Sequence, residues 1–559
     1  MLRTKCLLIF ALTLLTFELC YGQGNDAYIQ RVVDSLERIK PVTFQKVRPQ
    51  ECSYTIKVRN QQEFDKINTE ITSAIKAGKK NIQVKLEQGV YHFRQEHIRR
   101  VNESTDVSIS FIGKNAIITS DKNYTSTGGL GSGWQEMLYA DSIIQVVDEK
   151  TKLCMIPYAN KWNESEKKTL IKVQITQWFR TKIYPIEKID SKGIYFFASE
   201  LAWENGYGHK GYNVNFDYLY LGKMPRFRVY DSAKEPECAA ARFLTMKDCS
   251  YRSLSFKGIE FRSTDASNIL MHFTNVSAKQ IIISECKFDH IRGNGVAFFS
   301  GTGNVAFDEN QVSNTGGDEL FFTNNCPNIS VTNNIFENCG QGLSGTFCIR
   351  CYEAEYYIAH NTIRDFGYGG IGVGLWHGFE KKYPSSGIIE HNEIYFSPEY
   401  FANAWKHMLM DSGAIYTWTQ NDEVIIRYNY IHDYTGAGDN RGIFCDDGAN
   451  NLKIYRNIVV NIPNSYCIDS RLGIDQHEGF SNNANNFMAM NVVDGSVRFM
   501  GYSGEQRHCR KGANFLIHNE EKVLDNKFED LEIMQEDIIV RNVQEAIKSK
   551  ALKGFKMEL

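Results

Sequence analysis

The chain lacks a basic tract, a membrane-length hydrophobic run and a repeated cysteine pair. Its 559 residues carry 63 basic and 66 acidic side chains, for a formal net charge of −3. Because no basic patch is present, we do not expect a nucleic-acid partner. The apolar stretch at residues 7–17 is too short for a helix that crosses a bilayer. A composition of 42% hydrophobic and 13% aromatic residues excludes a disordered chain.

A zinc site of the paired-cysteine type is also missing. Cys348 and Cys351 form the only Cys-x-x-Cys after residue 22, and no second pair completes four ligands. We therefore predict neither a metal nor a cofactor. Five other thiols lie in or beside the strand repeats described below: Cys286, Cys326, Cys339, Cys445 and Cys467. They are typical of core packing, and the sequence leaves their disulfide pairing open.

Residues 1–22 have the pattern of a secretory signal. A basic start, an apolar core at residues 7–17 and small residues at the cleavage positions follow the usual order. Leu19 is too bulky for the usual lipoprotein signal, so we expect soluble export with Gln23 as the mature N-terminus. The sequence thus predicts a periplasmic or secreted protein.

One short phrase of sequence occurs eight times: a polar segment, usually with an Asn, is followed by a strand of alternating apolar residues. The phrases are SECKF, DENQV, TNNIF, AHNTI, EHNEI, RYNYI, YRNIV and AMNVV, and their third residues are Cys286, Asn310, Asn334, Asn361, Asn392, Asn429, Asn457 and Asn491. Successive third residues are 24, 24, 27, 31, 37, 28 and 34 positions apart. Such a spacing is typical of a solenoid whose rungs stack.

A rung of 24 residues with three short strands fits a parallel β-helix. Residues at equal offsets in neighbouring rungs then lie about 4.8 Å apart. We predict that the recurrent Asn side chains point inward at a turn and bond the backbone of adjacent coils as a ladder. The Leu-x-x-Leu-x-Leu phrase of leucine-rich repeats is absent. The predicted fold class is therefore all-β.

The other segments are arranged around this solenoid. The predicted divisions are 23–100 for an N-terminal cap with a helix over 61–77 and a first strand, 101–124 for the first rungs, 125–240 for an inserted β module, 241–505 for the main β-helix and 506–559 for a C-terminal cap or tail. Four of the ten prolines fall in residues 125–240, among β-rich runs that break the repeat. We therefore expect this module to interrupt an early rung.

The rungs between Asn361 and Asn491 are longer than the others and carry aromatic, basic and acidic residues at their corners. Loops on a stiff sheet are the usual place for a functional site. The predicted substrate-binding residues are Trp376, His377, His407, Tyr416, Trp418, His432, Asp439, Arg441 and Arg471. Aromatic rings among them offer stacking faces for sugars, although Trp418 is equally typical of packing.

More acids occur in these rungs than a scaffold needs. They are Asp411, Asp439, Asp446 and Asp447. Glycosidic hydrolysis requires two carboxyl groups that flank the bond, and closely paired acids raise the pKa of one member, as a general acid needs. If Ile415 and Ile443 are equivalent, Asp411 aligns with Asp439, about one rung or ~5 Å away. Each acid taken alone is also typical of a turn.

These rungs resemble secreted right-handed parallel β-helix glycoside hydrolases of bacteria, most closely family 141, fucosidases and xylanases that act on plant polysaccharides. The matching residues are Asp-Ser-Gly-Ala-Ile-Tyr at 411–416, Asn-Tyr-Ile-His-Asp at 429–433, Gly-Ile-Phe-Cys-Asp-Asp-Gly at 442–448 and Asn457. The resemblance implies a right-handed β-helix with catalytic acids at Asp411 and at Asp446 or Asp447. Phe444-Cys445 departs from the Tyr-Leu that is commoner in the family, which leaves the substrate open.

Three function classes are consistent with these residues. A glycoside hydrolase would use the acid pair on a plant- or algal-type polysaccharide. A polysaccharide lyase would use Lys or Arg as a base beside a uronate, for which the rungs offer Lys406, Arg427, Arg441 and Arg471. A non-catalytic carbohydrate-binding solenoid would need the aromatic residues alone. We predict the hydrolase, with a polysaccharide or oligosaccharide partner, no membrane span and a monomeric state.

Overall fold

The structure is a computed structural model that describes the solenoid and parts of its flanking segments. The described residues are 31–41, 53–120, 134–136, 145–148, 150–151, 153–157, 162–177, 180–197, 226–231, 242–262, 269–291, 293–340, 345–374, 385–407, 411–418, 421–436, 440–446, 449–463, 466–471, 486–493, 495–500, 510–511 and 515–516. None of the helices in these ranges has the length and hydropathy needed to cross a membrane.

Three parallel sheets form the faces of the solenoid, and each rung gives one strand to each sheet. Sheet A contains β3 (Gly89–His92), β5 (Ser108–Thr119), β14 (Leu244–Arg262), β16 (Lys287–Asp289), β19 (Gln311–Ser313), β22 (Ile335–Glu337), β25 (Thr362–Arg364), β28 (Glu393–Tyr395), β31 (Tyr430–His432), β34 (Ile458–Val460), β37 (Val492–Val493) and β40 (Phe515–Leu516). Sheet B contains β4 (Ile98–Val101), β14, β15 (Ile269–Ser284), β17 (Asn294–Phe299), β20 (Leu320–Thr323), β23 (Phe347–Tyr352), β26 (Gly369–Gly374), β29 (Ser412–Trp418), β32 (Asn440–Cys445), β35 (Tyr466–Arg471) and β38 (Ser496–Met500). Sheet C contains β1 (Tyr54–Val58), β2 (Asn81–Leu86), β5, β14, β15, β18 (Val305–Asp308), β21 (Cys326–Thr332), β24 (Ala354–Ala359), β27 (Ser386–Glu390), β30 (Val424–Arg427), β33 (Leu452–Tyr455), β36 (Phe487–Ala489) and β39 (Arg510–Lys511). Strands β5, β14 and β15 are long enough to turn a corner and serve two or three sheets.

Inward-pointing strand residues stack in register to form the core. Along sheet B, four isoleucines are successive partners and all are fully buried: Ile371, Ile415, Ile443 and Ile468. β-Branched side chains suit such a pleated, buried surface. The nine cysteines in the described ranges are also buried, as expected for thiols that fill a core. The prediction of an all-β parallel β-helix is confirmed.

The recurrent Asn residues form the predicted ladder. The backbone N–H of each third residue donates to the side-chain oxygen of the next, starting with Cys286 and Asn310 Oδ1 at 2.9 Å. The residue before each third residue has φ between 53° and 59°, although none is glycine: Glu285, Glu309, Asn333, His360, His391, Tyr428, Arg456 and Met490. The amide bonds therefore stabilise a corner conformation that L-residues ordinarily avoid.

Two short helices lie at the N-terminal rungs, within the segment predicted as a helix. They are α1 (Gln61–Asp65) and α2 (Ile67–Lys76). The side chain of Asn60 caps α1 by accepting a hydrogen bond from the Glu63 N–H. Phe64, Ile67 and Ile71 are buried in the same apolar core as the first solenoid strands. The apolar faces of both helices therefore pack on the first rungs.

The inserted segment leaves and rejoins the solenoid between neighbouring rungs. Ser108 of β5 pairs directly with Ser253 of β14, so the strands on either side of residues 125–240 are adjacent. Two four-stranded antiparallel sheets occur in the described part of this segment. One contains β6 (Trp134–Glu136), β9 (Leu170–Gln177), β10 (Arg180–Pro185) and β13 (Arg226–Asp231), and the other β7 (Gln145–Asp148), β8 (Leu153–Ile156), β11 (Lys188–Ile189) and β12 (Ile194–Phe197). A short helix, α3 (Glu164–Thr169), starts with a capping box.

Residues 31–39, grouped by sequence with the N-terminal cap, lie on the outer face of sheet C at much later rungs. Val33 and Leu36 are buried there against outward side chains of β27, β30 and β36. The guanidinium of Arg427 donates to the carbonyls of Leu36 at 3.2 Å and Ile39 at 3.4 Å. The segment is thus held by apolar packing and by one buried cation. The other predicted domain boundaries stay predictions.

Candidate functional site

Two of the predicted acids lie in the described part of sheet B, Asp411 directly before β29 and Asp446 directly after β32. Ile415 pairs with Ile443, the equivalence that the repeat predicted, and both are buried in the core. The next residues point outward because side chains alternate along a strand. Tyr416, Phe444 and Asp469 are accordingly successive partners in register. We call this side of β29, β32 and β35, with its flanking residues, the acid face.

Asp411 stands directly before β29 in a left-handed backbone conformation, with φ of 58°. Its carbonyl accepts a hydrogen bond from Tyr368 Oη at 2.8 Å. Its Oδ1 accepts another from Arg441 Nη1 at 3.1 Å. The preceding rung thus holds the backbone and the following rung holds the carboxylate, whose side chain keeps 18% of its surface exposed. The same left-handed conformation occurs at the corner residue before each ladder position.

Arg441 is fully buried between two carboxylates. Besides its bond to Asp411, its Nε donates to Asp469 Oδ2 at 2.9 Å. The guanidinium lies 4.0 Å from the centroid of the Phe444 ring. The register partner of Arg441 is Gly413, and a Cβ at Gly413 would lie only 2.8 Å from the Cβ of Phe444. Glycine at position 413 therefore avoids a steric clash with Phe444.

Asp446 follows β32 and is buried, with 8% of its surface exposed. Its backbone N–H donates to the Thr417 carbonyl at 2.9 Å, and its Oδ2 accepts from Tyr416 Oη at 2.5 Å. Burial raises the pKa of the Tyr416 phenol well above its usual range, and the charge of Asp446 raises it further. The phenol therefore stays protonated and acts as a hydrogen-bond donor to Asp446.

Four rings form a buried cluster between the two acids: Phe347, Tyr368, Tyr416 and Phe444. Trp418 is half-buried and packs against it. The ring centroids of Tyr368 and Tyr416 are 6.2 Å apart. Burial raises the pKa of Tyr368 well above its usual range, and the charges of Asp411 and Asp446 both raise it further. The same two acids raise the pKa of Tyr416, and each phenol is hydrogen-bonded to one of them, Tyr368 to the Asp411 carbonyl and Tyr416 to Asp446 Oδ2.

An ion pair on the shorter rungs borders this cluster. Arg350 Nη2 lies 3.0 Å from Asp318 Oδ1, and the guanidinium stands 5.2 Å from the centroid of the Phe347 ring. Burial raises the pKa of Asp318, while the charge of Arg350 opposes that rise. Sequence reasoning treated these rungs as scaffold and missed the pair, because neither residue belongs to a motif.

Tyr368 and Asp469 were missed as well. Asp469 follows Ile468 just as Phe444 follows Ile443, and the two isoleucines are register partners. An alignment of the rungs on these isoleucines would have placed Asp469 on the acid face. No local signal marks Tyr368, whose role depends on contact with the next rung.

His432 lies on sheet A rather than on the acid face. Its ring stacks on Tyr430 at 4.1 Å and on Tyr395 at 4.8 Å between centroids. Its Nδ1 is 2.7 Å from Asp433 Oδ2. The structure therefore places His432, a predicted substrate-binding residue, on a different sheet from the acid face. His432 and Asp411 have in common only that both belong to lengthened rungs.

Other predicted site residues lie outside the described residues. These are Trp376, His377, Asp439 and Asp447. His407 ends α4 (Pro398–His407) and Arg471 ends β35, and only their backbone positions are described. The roles of all six stay predictions. In the described ranges, no three His, Cys, Asp or Glu side chains are grouped to hold a metal ion.

Comparison with known proteins bears on the fold. The family described as "Right handed beta helix region" matches residues 229–381, which adds the handedness to the parallel solenoid seen here. The fold is therefore a right-handed parallel β-helix with an acid face on sheet B. No curated protein matches the sequence.

Solved structures with some similarity include three kinds of protein. A protein described as a glycoside hydrolase is 12% identical over 74% of this chain and 97% of that chain, with a TM-score of 0.47. The tailspike gp61 of Pseudomonas phage phi297 is 9% identical over 72% and 73%, with a TM-score of 0.20. PfbA, a surface adhesin of Streptococcus pneumoniae, is 8% identical over 82% and 86%, with a TM-score of 0.26.

Proposed function

We propose that the protein is a glycoside hydrolase that cleaves a plant- or algal-type polysaccharide, with Asp411 and Asp446 as its catalytic carboxyl groups. One observation carries the proposal: two neighbouring phenols, with ring centroids 6.2 Å apart, each donate a hydrogen bond to one of the acids, Tyr368 to the Asp411 carbonyl and Tyr416 to Asp446 Oδ2. Two carboxyl groups at one site are what hydrolysis of a glycosidic bond requires. Asp447 is the alternative to Asp446 as the second acid, as the family resemblance implies.

The acid face also suits hydrolysis of a glycosidic bond better than the base-catalysed elimination that a lyase performs. Arg441 is fully buried and paired with two carboxylates, so it is poorly placed to take a proton from a substrate. Arg427 lies on sheet C, where it pairs with Glu390 at 2.6 Å. These two candidates for a lyase base are therefore engaged in structural contacts.

We place the enzyme among hydrolases like those of family 141, and we propose that it is exported after removal of residues 1–22 and acts as a monomer. The described signature residues, 411–416, 429–433 and 442–446, fall on two successive rungs and support this placement. Half-buried Trp418 at the edge of the ring cluster is the side chain we propose for stacking on the sugar.

The test is to assay Asp411→Asn and Asp446→Asn on a panel of plant and algal polysaccharides. The wild-type protein is expected to release new reducing ends without an ultraviolet-absorbing unsaturated uronide. Each substitution should lower kcat/KM by about 10²-fold or more, because each removes a proton-transferring or nucleophilic group. Asp447→Asn, measured in parallel, decides between the two candidates for the second acid.

Glu337→Gln is the matched control, since Glu337 is a half-exposed carboxylate on sheet A that pairs with Arg364. It should leave kcat/KM unchanged. Full activity of Asp411→Asn would contradict the proposal. An unsaturated product would identify a lyase instead, and binding of glycans without any product would identify a carbohydrate-binding solenoid.

A further inference from the structure

We propose that four ring side chains on the outer side of sheet B bind a long glycan chain and lead it to the acid face. They are His272, Phe299, Phe321 and Tyr352, one in each of four successive rungs, and we call them the ring row. The inference rests on the proposed function and deepens it, because it places the substrate along the solenoid and predicts a preference for long chains.

The rings of the row contact one another from rung to rung. The centroids of His272 and Phe299 are 4.9 Å apart, those of Phe299 and Phe321 5.5 Å, and those of Phe321 and Tyr352 6.4 Å. Successive rings are almost perpendicular, with interplanar angles of 79°, 84° and 88°. Tyr352 is buried, whereas the other three rings are half-buried and keep surface on the outside of the sheet.

Within the rungs of Phe299 and Phe321, outward rings belong to sheet B. The described outward strand residues of these two rungs are Gln311, Ser313, Ile335 and Glu337 on sheet A, and Ala306, Asp308, Ser330 and Thr332 on sheet C. They are small, polar or aliphatic. Accessible apolar surface gathered in one place is typical of an interaction site. Here it gathers on the sheet that also carries the acid face.

The ring row continues into the acid face through Arg350. Its guanidinium lies 5.3 Å from the centroids of the Phe321 and Tyr352 rings and 5.2 Å from that of Phe347. Phe347 belongs to the buried ring cluster, where its centroid is 5.7 Å from that of Tyr416. Ring and cation contacts therefore connect the first rungs of the main solenoid with the proposed catalytic rung.

The row is long enough for several sugar units. Five register steps separate His272 from Tyr416, and the residues between them are Ala297, Phe321, Arg350 and Gly372. At the usual spacing of paired strands, five steps span about 24 Å. One step is comparable to the length of one pyranose unit in an extended glycan. Successive sugars can therefore meet successive rungs.

His272 serves this row as a neutral ring of fixed orientation. Arg242 Nη1 donates to its Nδ1 at 3.0 Å, so the ring proton is on Nε2, which lies 2.8 Å from Thr274 Oγ1. Burial lowers the pKa of His272, and the charge of Arg242 lowers it further. The imidazole is therefore suited to packing against a sugar rather than to proton transfer.

The shape and chemistry of the row favour a glycan over a protein as its occupant. A sugar has apolar C–H faces and hydroxyl groups at its edge. The row offers rings beside hydroxyl side chains on the same strand face, with Thr274 next to His272 and Thr323 next to Phe321. A stable protein–protein interface buries about 1,200–2,000 Å², which calls for a broader surface than a row one ring wide.

The experiment compares wild type, Phe299→Leu and Phe321→Leu on the panel polysaccharide that gives the highest activity and on the trisaccharide derived from it. Leucine keeps most of the apolar volume, so the outer packing of the sheet is retained while the ring is lost. In each variant the ratio of kcat/KM on the polymer to that on the trisaccharide should fall about 3- to 10-fold, as expected for one ring contact. The rise in KM for the polymer should account for the change.

Ile335→Ala is the matched control. Ile335 is an apolar residue on sheet A in the same rung as Phe321, and 45% of its surface is exposed. Its ratio should equal that of the wild type. A lower melting temperature of Phe299→Leu and Phe321→Leu with an unchanged ratio would overturn the proposal, since the rings would then only pack within the fold.

Binding without turnover separates this proposal from the proposed function. The proteins are run in native gels that contain each polysaccharide of the panel, and the retardation of the wild type should exceed that of Phe299→Leu and Phe321→Leu. Retardation that depends on the rings, without any hydrolysis product, would refute only the enzymatic function. Established hydrolysis with equal retardation and equal ratios in all variants would refute only the ring row.

Discussion

Some buried ionisable side chains near sheet B are paired, whereas one has no hydrogen-bond partner among the described residues. Arg441 and Asp469 are both fully buried, but each satisfies the other. Glu319 is also fully buried, and neither of its carboxyl oxygens has a hydrogen-bond partner among the described residues. Burial raises its pKa well above the usual range. Glu319 is therefore neutral in the folded protein over a wide pH range.

The free energy of unfolding of Glu319→Gln, relative to that of the wild type, is expected to increase as the pH rises. The unfolded chain releases this proton near pH 4, whereas the folded chain holds it to higher pH, so folding stability falls as the pH increases between those values. That loss amounts to about 1.4 kcal/mol per pH unit for one group. The amide does not titrate and removes this dependence. Urea unfolding between pH 5 and pH 8 measures it.

The half-exposed Glu337 supplies the comparison for this prediction. Glu337→Gln should show the same pH dependence of stability as the wild type. A constant difference in unfolding free energy between Glu319→Gln and wild type across this range would show that Glu319 is ionised in the folded state.

Among the elements, most strand pairs keep their register, with local shifts in three pairs, and most of the variation in rung length falls in the corners. The spacing of ladder residues grows from 24 to 37, yet the amide bonds between them stay between 2.8 and 3.2 Å. Lengthening a surface loop costs little because closure entropy grows slowly with length. Strand pairing, in contrast, tolerates no slip, since a shift by one residue exchanges the inner and outer faces.

Asn334→Ala tests the contribution of one ladder residue. Asn334 Oδ1 accepts from the Asn310 N–H at 2.8 Å, and its Nδ2 donates to the Phe307 carbonyl at 2.9 Å. The substitution leaves a buried donor and a buried acceptor without these partners. The free energy of unfolding should fall by about 1–3 kcal/mol, as measured by chemical denaturation. Gln311→Ala, one position beyond a ladder residue and exposed, should have little effect.

At the scale of the whole molecule, residues 31–39 connect the N-terminal part of the chain to rungs almost 400 positions later. Arg427 and the Leu36 carbonyl are 391 residues apart in sequence. The same guanidinium pairs with Glu390 and bonds Tyr455 Oη at 3.0 Å. The segment covers an apolar strip of sheet C that would otherwise face solvent.

Val33→Asp should release this segment, because it introduces a charge at a fully buried position. Amide hydrogens of β27, β30 and β33 are then expected to exchange faster, while those of β16 and β19 keep their wild-type rates. Hydrogen exchange followed by mass spectrometry resolves these strands. Ser35→Asp carries the same charge at an exposed position of the same segment and should leave exchange unchanged. Equal exchange in both variants would contradict the docking of residues 31–39.

Much of the site was predictable because it follows the repeat. The equivalence of Ile415 and Ile443, which the structure confirms, aligned Asp411 with Asp439 on the next rung, and the excess of acids in the long rungs indicated the same region. Tyr368, Asp469 and the Arg350–Asp318 pair were not predictable in this way. Each acts through a side chain on another rung, and a repeat indicates which strands are neighbours but not which outward side chains meet.

The sequence by itself determined the solenoid, the Asn ladder and the region of the acids, because all three follow from short periodic patterns that repeat every 24 residues or more. Only the tertiary structure decided that Arg441 is buried between Asp411 and Asp469, that His432 lies on another sheet, and that residues 31–39 dock on sheet C. The physical reason is that periodicity specifies backbone hydrogen bonds between adjacent coils. Burial and charge pairing depend instead on how outward side chains of distant segments fill the space between them.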